Sequence, residues 1–578
     1  MNVLNLIPEV KSISVYDGFL DNKAISQITA PLSRQLQIAV NKLPCDQNGV
    51  KLDIQVCSYT GEAYTLDISA GLITIKAEGP AGAFYGIQTL RQILGHDTVP
   101  FLHIEDKPDF AYRGFYHDIT RGKVPTVETL KSLIDRMAYY KMNSLQLYVE
   151  HTFAFEEYTG FLEKTGYLTA DEIRELDDYC ADNFIEFIPS LSCFGHLYDL
   201  LQQDRYSHLQ VLDNYEQQAH HFWERMLHHT LDPLNPESFD LIRNMLDQYL
   251  PLFRSDKFNI CCDETFDLNV GKYQGSDIGL LYADFVKKLI AYLHTHGKQI
   301  MMWGDYLLHY PERISDIPKD VILLNWDYEA NADRTDKQIR TFAESGRKQI
   351  VCPGTWCWSN LCEKTSLSIP NISNVVEIGH RYGAMGVLNT NWGDFGNPCS
   401  LELAMLGLTY GAAKSWNVQT LFADFIGKAE QLVYGRAGAY RFIDALNKVE
   451  DTVRWKDLMS AYSNFLYGDY HEVKLPDKES LLAAIAQCET VYNELREEVW
   501  ERDSYRQELL IAAEGLQVIA ELLGNMQGFD LERHTDTLSW LTKYRDMWIT
   551  KNKPSELSEI EKMFVDFEFR ILKEQTAL

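Results

Sequence analysis

Positive charge is what this chain has least of. Its 54 lysines and arginines stand against 83 aspartates and glutamates, and the net charge of -29 repels phosphate backbones and polyanionic sugars, so nucleic acid is not expected as a partner. Long hydrophobic runs are missing too: no segment offers about 18 uncharged apolar residues, and no membrane-spanning helix is expected. The opening MNVLNLIPEVKSIS has neither a basic n-region nor a continuous apolar stretch, so a standard secretory signal is not expected of it. No low-complexity tract or internal repeat stands out, and no Gly-rich phosphate loop follows a strand-like run. Zinc spacing is also absent. Cys352, Cys357 and Cys362 match no zinc pattern and have no histidine nearby, so neither metal nor other cofactor is expected and these thiols read as packing residues. The eleven cysteines fall at irregular positions, Cys261 and Cys262 being neighbours, a usage that suits a reducing compartment and points to the cytoplasm.

What is present is the composition of a soluble globular protein, 46% hydrophobic and 24% charged, in a chain of 578 residues that calls for about two or three domains. From the start to residue 108, alternating runs such as KLDIQVCS, YTLDIS and LITIKAEG read as strands, and AGAFYGIQTLRQIL reads as a helix. This is expected to be a small N-terminal α+β domain, closed by the loop around Asp106, Lys107 and Pro108. Over 109–418 strand and helix patterns alternate. Eight strand candidates (RGFYHDI, SLQLYV, IEFIPSL, FNICCD, QIMMWG, VILLNW, QIVCPG, GAMGVLN) are separated by amphipathic stretches such as VETLKSLIDRMAYY and GLLYADFVKKLIAYLHTHG. Eight such units predict a (β/α)8 TIM barrel; a doubly wound sheet, the competing α/β architecture, usually has fewer strands and often the phosphate loop that is missing here. Over 419–578 strand signals fade and helical patterns take over, predicting a helical region that braces the barrel or supports a homo-oligomer.

A barrel gathers its active site at the C-terminal ends of its strands. Strand one carries Arg113 and Asp118, strand two ends at Tyr148, Glu150 and His151, strand three leads to His196, and strand four ends at Asp263 and Glu264. Trp303, Trp326 and Trp392 end strands five, six and eight, and Trp356 and Trp358 follow strand seven. Any one of these tryptophans reads as core. Five of the eleven at strand ends instead suggest aromatic walls for the apolar C–H faces of a sugar. Adjacent Asp263 and Glu264 would point to opposite faces of a regular strand, so both can serve one site only where the strand breaks. Two carboxylates that close raise the pKa of one of them, which is the chemistry of a general acid.

Taken in order, the motifs resemble those of glycoside hydrolase family 20, the β-N-acetylhexosaminidases, from about Leu66 to Trp416. GPAGAFYGIQTLRQIL resembles the helix closing that family's N-terminal domain and FAYRGFYHDITR its first barrel strand. FGH at 194–196 resembles its PGH, NICCDE its G-G-D-E strand end, and NWGD at 391–394 its W-x-E. The resemblance implies an exo-acting, retaining enzyme that removes terminal β-linked GlcNAc or GalNAc from a glycan, with the substrate's acetamide as nucleophile and an oxazolinium ion intermediate. It implies Glu264 as general acid and base, Asp263 as the residue orienting the acetamide, and Arg113 as the grip on the sugar's 3- and 4-hydroxyls. Trp303, Trp326 and Trp392 would wall the pocket and Asp394 would hold outer hydroxyls. His196 would link a strand-two carboxylate, for which Glu150 is the candidate, to the acid.

The chain departs from the family where Asn259, Cys261 and Cys262 replace the usual His and glycines, and where VEH stands in place of an Asp pair. On strand seven GTWCWSN lacks the family's acetamide-binding Tyr, leaving Trp356, Trp358 or a neighbouring Tyr328 as replacements. Two other readings remain open: a barrel hydrolase of the O-GlcNAc-removing type, which carries a different acidic pair, and a sugar-binding protein without turnover.

Overall fold

The computed structural model describes residues 4–29, 33–157, 160, 166–212, 229–468, 472–532 and 535–571. Six N-terminal strands, β1 (Ser12–Phe19), β2 (Ile25–Thr29), β3 (Val50–Val56), β4 (Tyr64–Ser69), β5 (Leu72–Ala77) and β6 (Pro100–Asp106), form one sheet in the order β1-β6-β4-β5-β3-β2. Period-two burial places Tyr64, Leu66 and Ile68 of β4 and Ile73, Ile75 and Ala77 of β5 in the core, which the helix Pro80–Leu94 covers. That helix is buried on nearly all sides because its outer face meets the next domain: Phe84 packs on Phe184 at 5.0 Å and Tyr85 on Trp416 at 5.2 Å.

Eight parallel strands follow: β7 (Tyr112–Asp118), β8 (Ser144–Tyr148), β9 (Glu186–Ile188), β10 (Lys257–Asn259), β11 (Gln299–Trp303), β12 (Ile322–Trp326), β13 (Gln349–Cys352) and β14 (Gly386–Asn391). The ring closes between β9 and β10, where the Asn259 N–H donates to Pro189 O at 2.9 Å and the Leu191 N–H to Asn259 O at 3.0 Å. The TIM barrel expected from the strand–helix alternation is therefore present. Alternation along each strand decides what fills it. Tyr116, Met301, Trp303, Ile322, Leu324, Ile350 and Cys352 point inward, whereas Phe115, Ile300, Met302, Leu323 and Val351 point outward under the helices. Several helices start at side-chain caps that satisfy otherwise orphaned N–H groups, such as Thr126 accepting from the Thr129 N–H and the reciprocal pair of Thr169 with Glu172.

After the helix Met405–Trp416 the described chain is helical to its end. These helices pack beside the two barrel loops that follow β7 and β14. Trp455 donates its indole N–H to Phe395 O at 2.9 Å, Lys551 pairs with Glu402 at 2.8 Å, Pro125 bridges Asn552, and the Lys123 ammonium sits 4.8 Å over the Trp548 ring. Through these contacts the helical region braces the barrel.

Candidate active site

The strand that should carry the acid is only three residues long, and the reason lies in the turn after it. Cys261, Cys262 and Glu264 all take positive φ, at 56°, 63° and 48°. Left-handed non-glycine residues cost on the order of 1–3 kcal/mol each, so the turn persists only because its surroundings hold it. Asn259 Oδ1 accepts the Cys261 N–H at 2.9 Å, Tyr282 donates its hydroxyl to Cys262 O at 2.8 Å, and Asp305 Oδ2 accepts the Glu264 N–H at 3.0 Å. Because the alternation is broken there, Asp263 and Glu264 face the same cavity despite being neighbours.

That cavity, of about 190 Å3, is lined by Arg121, Asp263, Glu264, Trp326, Tyr328, Trp358, Trp392 and Asp394. Its wall is a continuous aromatic assembly. Trp326 stacks on Tyr328 at 5.1 Å, Tyr328 meets Trp358 edge-on at 5.2 Å, and Trp358 stacks on Trp356 at 4.6 Å. Trp392 donates its indole N–H to the Tyr328 hydroxyl at 2.6 Å, which ties the ends of β12 and β14 together. Such a wall with a few convergent polar groups suits a ligand that has both apolar faces and hydroxyls.

His196, itself at φ 59°, bridges the acidic pair. Its Nε2 lies 3.2 Å from Asp263 Oδ2 and 3.4 Å from Glu264 Oε2. Burial alone would favour the neutral ring, but the Asp263 charge and hydrogen bonds to both carboxylates push its pKa up to about 10, against the opposing charge of Arg121. Arg121 anchors the far side. Its Nη1 is 3.0 Å from Asp394 Oδ1 and 3.2 Å from Asp118 Oδ2, and its guanidinium lies over the rings of Tyr148 and Trp392 at 4.9 and 5.2 Å. Asp118 fixes this corner by also accepting the backbone N–H of Arg121 at 3.1 Å and of Gly393 at 3.0 Å. Burial pushes the Asp394 carboxyl up to about 6, with Arg121 holding it down and Asp118 and Glu264 raising it further. Ligand-type atoms of His196, Asp263 and Glu264, and separately of Glu150, His151 and Asp199, lie within 4.8 Å of one another. The first group is the acidic pair with its bridging imidazole.

The family model described as "Glycosyl hydrolase family 20, catalytic domain" matches residues 110–392, and "Glycosyl hydrolase family 20, domain 2" matches residues 4–107. The chain belongs to glycosyl hydrolase family 20. A β-hexosaminidase of Porphyromonas gingivalis is 26% identical over 326 residues, which cover 49% of this chain and 40% of that protein. One of Emericella nidulans is 24% identical over 354 residues, covering 54% and 57%. The matched stretches thus span about half the length of these relatives. The solved structure of a Flavobacterium johnsoniae chitobiase, 19% identical, superposes with a TM-score of 0.61 over 97% of this chain and 99% of that one, a likeness of fold.

Of the residues singled out in the sequence, Asp263, Glu264, Trp326, Trp358, Trp392 and Asp394 line the cavity. Arg113 does not. It is the second residue of β7, at the N-terminal end of the barrel, where the N-terminal domain docks. There its guanidinium holds Glu62 with a two-pronged pair at 2.8 and 3.0 Å, donates to Phe110 O and Lys141 O, and stacks on Tyr85 and Trp416. A residue early in the strand starts roughly 17 Å from the mouth at 3.3 Å per residue, so the arginine that reaches the cavity is the later one in the same motif, Arg121. The motif's resemblance does not say which of its two arginines lies at the strand end, and Arg113 lies at the strand start. Trp303 stands behind the lining, fully buried, 5.7 Å from Trp392 and 5.2 Å from Tyr116. Glu150 is also in the backing layer, accepting from the Tyr148 hydroxyl at 2.7 Å. Arg121 Nη2 lies 3.4 Å from His196 Nδ1 and 3.7 Å from Glu150 Oε1, so the expected link between those two residues includes the guanidinium. On strand seven, Trp356 spends its indole N–H on Tyr328 O at 2.6 Å, whereas the Tyr328 side chain enters the cavity.

Proposed function

We propose that this chain is an exo-acting, retaining β-N-acetylhexosaminidase that removes terminal β-linked GlcNAc or GalNAc from glycans by substrate-assisted catalysis. The observation that carries the reading is the left-handed turn that brings Asp263 and Glu264 into one aromatic-walled cavity with His196 between them. In the first half-reaction the substrate's acetamide oxygen forms a bond to the anomeric carbon as the glycosidic bond breaks. The electron pair leaves on the aglycone oxygen, which takes the Glu264 proton. Asp263 orients the acetamide N–H and balances the oxazolinium charge. Water then opens the ring, returning a proton to Glu264 and preserving the anomeric configuration.

Tyr328 is the replacement for the missing strand-seven tyrosine. Trp392 donates to its hydroxyl, and the hydroxyl also meets the Thr390 side chain, whose own proton goes to Pro353 O. For Tyr328 to serve the acetamide oxygen, its proton must therefore turn from Thr390 to the substrate. Arg121 and Asp394 hold the sugar hydroxyls. Asp394 is one methylene shorter than the family's Glu, and its salt bridge to Arg121 draws it back, so the site accepts both epimers at carbon 4. The eleven cysteines, all unpaired and nine of them buried, support work in a reducing compartment on short glycans.

The test is hydrolysis of aryl β-N-acetylglucosaminide and β-N-acetylgalactosaminide by the purified chain, beside Glu264→Gln. Turnover on both sugars is expected, with a loss of about a hundredfold or more in the variant on poor leaving groups. Retained binding without turnover in the parent would make it a sugar-binding protein instead.

A further inference from the structure

The short helix Asp305–His309 begins immediately after the Trp303-Gly304 end of β11, and its first side chain is turned toward the acid. Asp305 Oδ2 accepts the Glu264 N–H at 3.0 Å. Asp305 Oδ1 is buried with no hydrogen-bond partner among the described residues, and the whole residue is only 8% exposed. Leaving a buried polar atom unsatisfied costs roughly 1–3 kcal/mol, and a neutral asparagine could accept the same amide without bringing a third carboxyl up to Asp263 and Glu264. The amide held this way belongs to the last left-handed residue of the turn, the one whose side chain must reach the leaving oxygen.

We infer that Asp305 is a positioning residue of this site: it locks the Glu264 backbone in the turn that aims the acid, and its negative charge keeps the proton on Glu264 until the leaving group takes it. The inference rests on the hydrolase reading above. Burial first, then the charges of Asp263 and Glu264, push Asp305 up to about 7, so ionisation of the three carboxyls is shared rather than independent. Around them His196 and Arg121 supply positive charge and Asp394 further negative charge. Cys262, Tyr282 and Tyr306 also face Asp305, each with its pKa raised mainly by burial, and so remain uncharged near neutrality. The His309 ring reaches the Asp305 carbonyl, at 2.9 Å through Nδ1, and meets the Phe266 ring edge-on. Above neutral pH an ionised Asp305 therefore opposes loss of the Glu264 proton and extends activity upward in pH.

Two variants separate the anchor from the charge. Asp305→Asn keeps the acceptor and removes the charge, so the alkaline limb of kcat/KM should move to lower pH by about one unit. Asp305→Ala removes both. Its kcat/KM should fall about tenfold or more on an aryl glycoside with a poor leaving group and far less on one with a good leaving group, because only the former needs the proton. An Asn variant with the parent's alkaline limb, or an Ala variant equally impaired on both substrates, overturns the inference while leaving the hydrolase reading intact. Should the Ala variant fail to fold, the Asn profile decides alone. An inactive parent removes both readings together.

Discussion

Two arginines eight positions apart in one motif allow the site assignment to be tested sharply. Arg121→Lys and Arg113→Lys each keep a positive charge and remove the planar fork, yet they should do different things. At Arg121 the fork faces Asp394 and Asp118 at 3.0 and 3.2 Å and the cavity beyond. A charge-assisted hydrogen bond contributes about 1.5–3 kcal/mol, so losing the two bonds that the fork is proposed to make to sugar hydroxyls in the transition state lowers kcat/KM by roughly a hundredfold to ten-thousandfold. The retained charge keeps Asp118, Asp394 and Glu150 from being left wholly unpaired, which places the lysine variant near the lower figure. At Arg113 the fork holds Glu62, whose side chain is 24% exposed, and two backbone carbonyls between the N-terminal sheet and the barrel. Breaking a fully buried pair costs about 3–5 kcal/mol; a partly solvated partner and a retained charge reduce this to roughly 2 kcal/mol. The assay is kcat/KM on an aryl N-acetylglucosaminide measured beside thermal unfolding. Arg121→Lys should lose activity even well below its transition, beyond whatever stability the loosened pairs with Asp118 and Asp394 cost, whereas Arg113→Lys should unfold earlier with nearly full activity below its transition. A large loss of activity at Arg113 with unchanged unfolding, or full activity at Arg121→Lys, would refute the assignment.

Tyr328→Phe removes the hydroxyl proposed to hold the acetamide oxygen and strands the Trp392 indole N–H; kcat should fall about a hundredfold, and a parent-like kcat would return the role to strand seven. Glu450, buried behind the strand-seven loop, accepts the N–H groups of Leu361 and Cys362 through one oxygen, while burial pushes its carboxyl up to about 8 from 4.5. Below pH 4.5 it is protonated in both states. Between there and about 8 only the unfolded chain gives up the proton, so this group lowers stability as pH rises, by up to about 5 kcal/mol. Glu450→Gln should therefore melt higher than the parent at pH 8.5 and equally at pH 4; equal melting at both values would show that the carboxyl is not held neutral.

The barrel was legible because its signal is repetitive. Eight apolar runs separated by amphipathic stretches carry both periods, two and 3.6, that parallel strands and their covering helices require, and an error at one boundary leaves the count intact. The acidic pair was legible only as a conditional statement: Asp263 and Glu264 can share a site if the strand breaks. The break depends on acceptors and donors far away in sequence, the Tyr282 hydroxyl and the Asp305 carboxylate, which hold Cys262 and Glu264 in a conformation that local preference disfavours.

Arg113 shows the opposite failure. A motif specifies residue types in order but not which end of a strand each occupies, and depth along the barrel axis separates a domain clamp from a sugar grip. Tyr328 was legible only as one of three candidates with Trp356 and Trp358, and Asp305 gave no local signal, since an acid opening a short helix is an ordinary surface choice until the loops are assembled. What the sequence by itself determined was therefore the architecture and the kind of chemistry, because hydrophobic period and residue type are local properties. Which side chains meet around the cavity was decided by tertiary structure, because convergence of eight strand ends is a long-range property that no single stretch of chain contains.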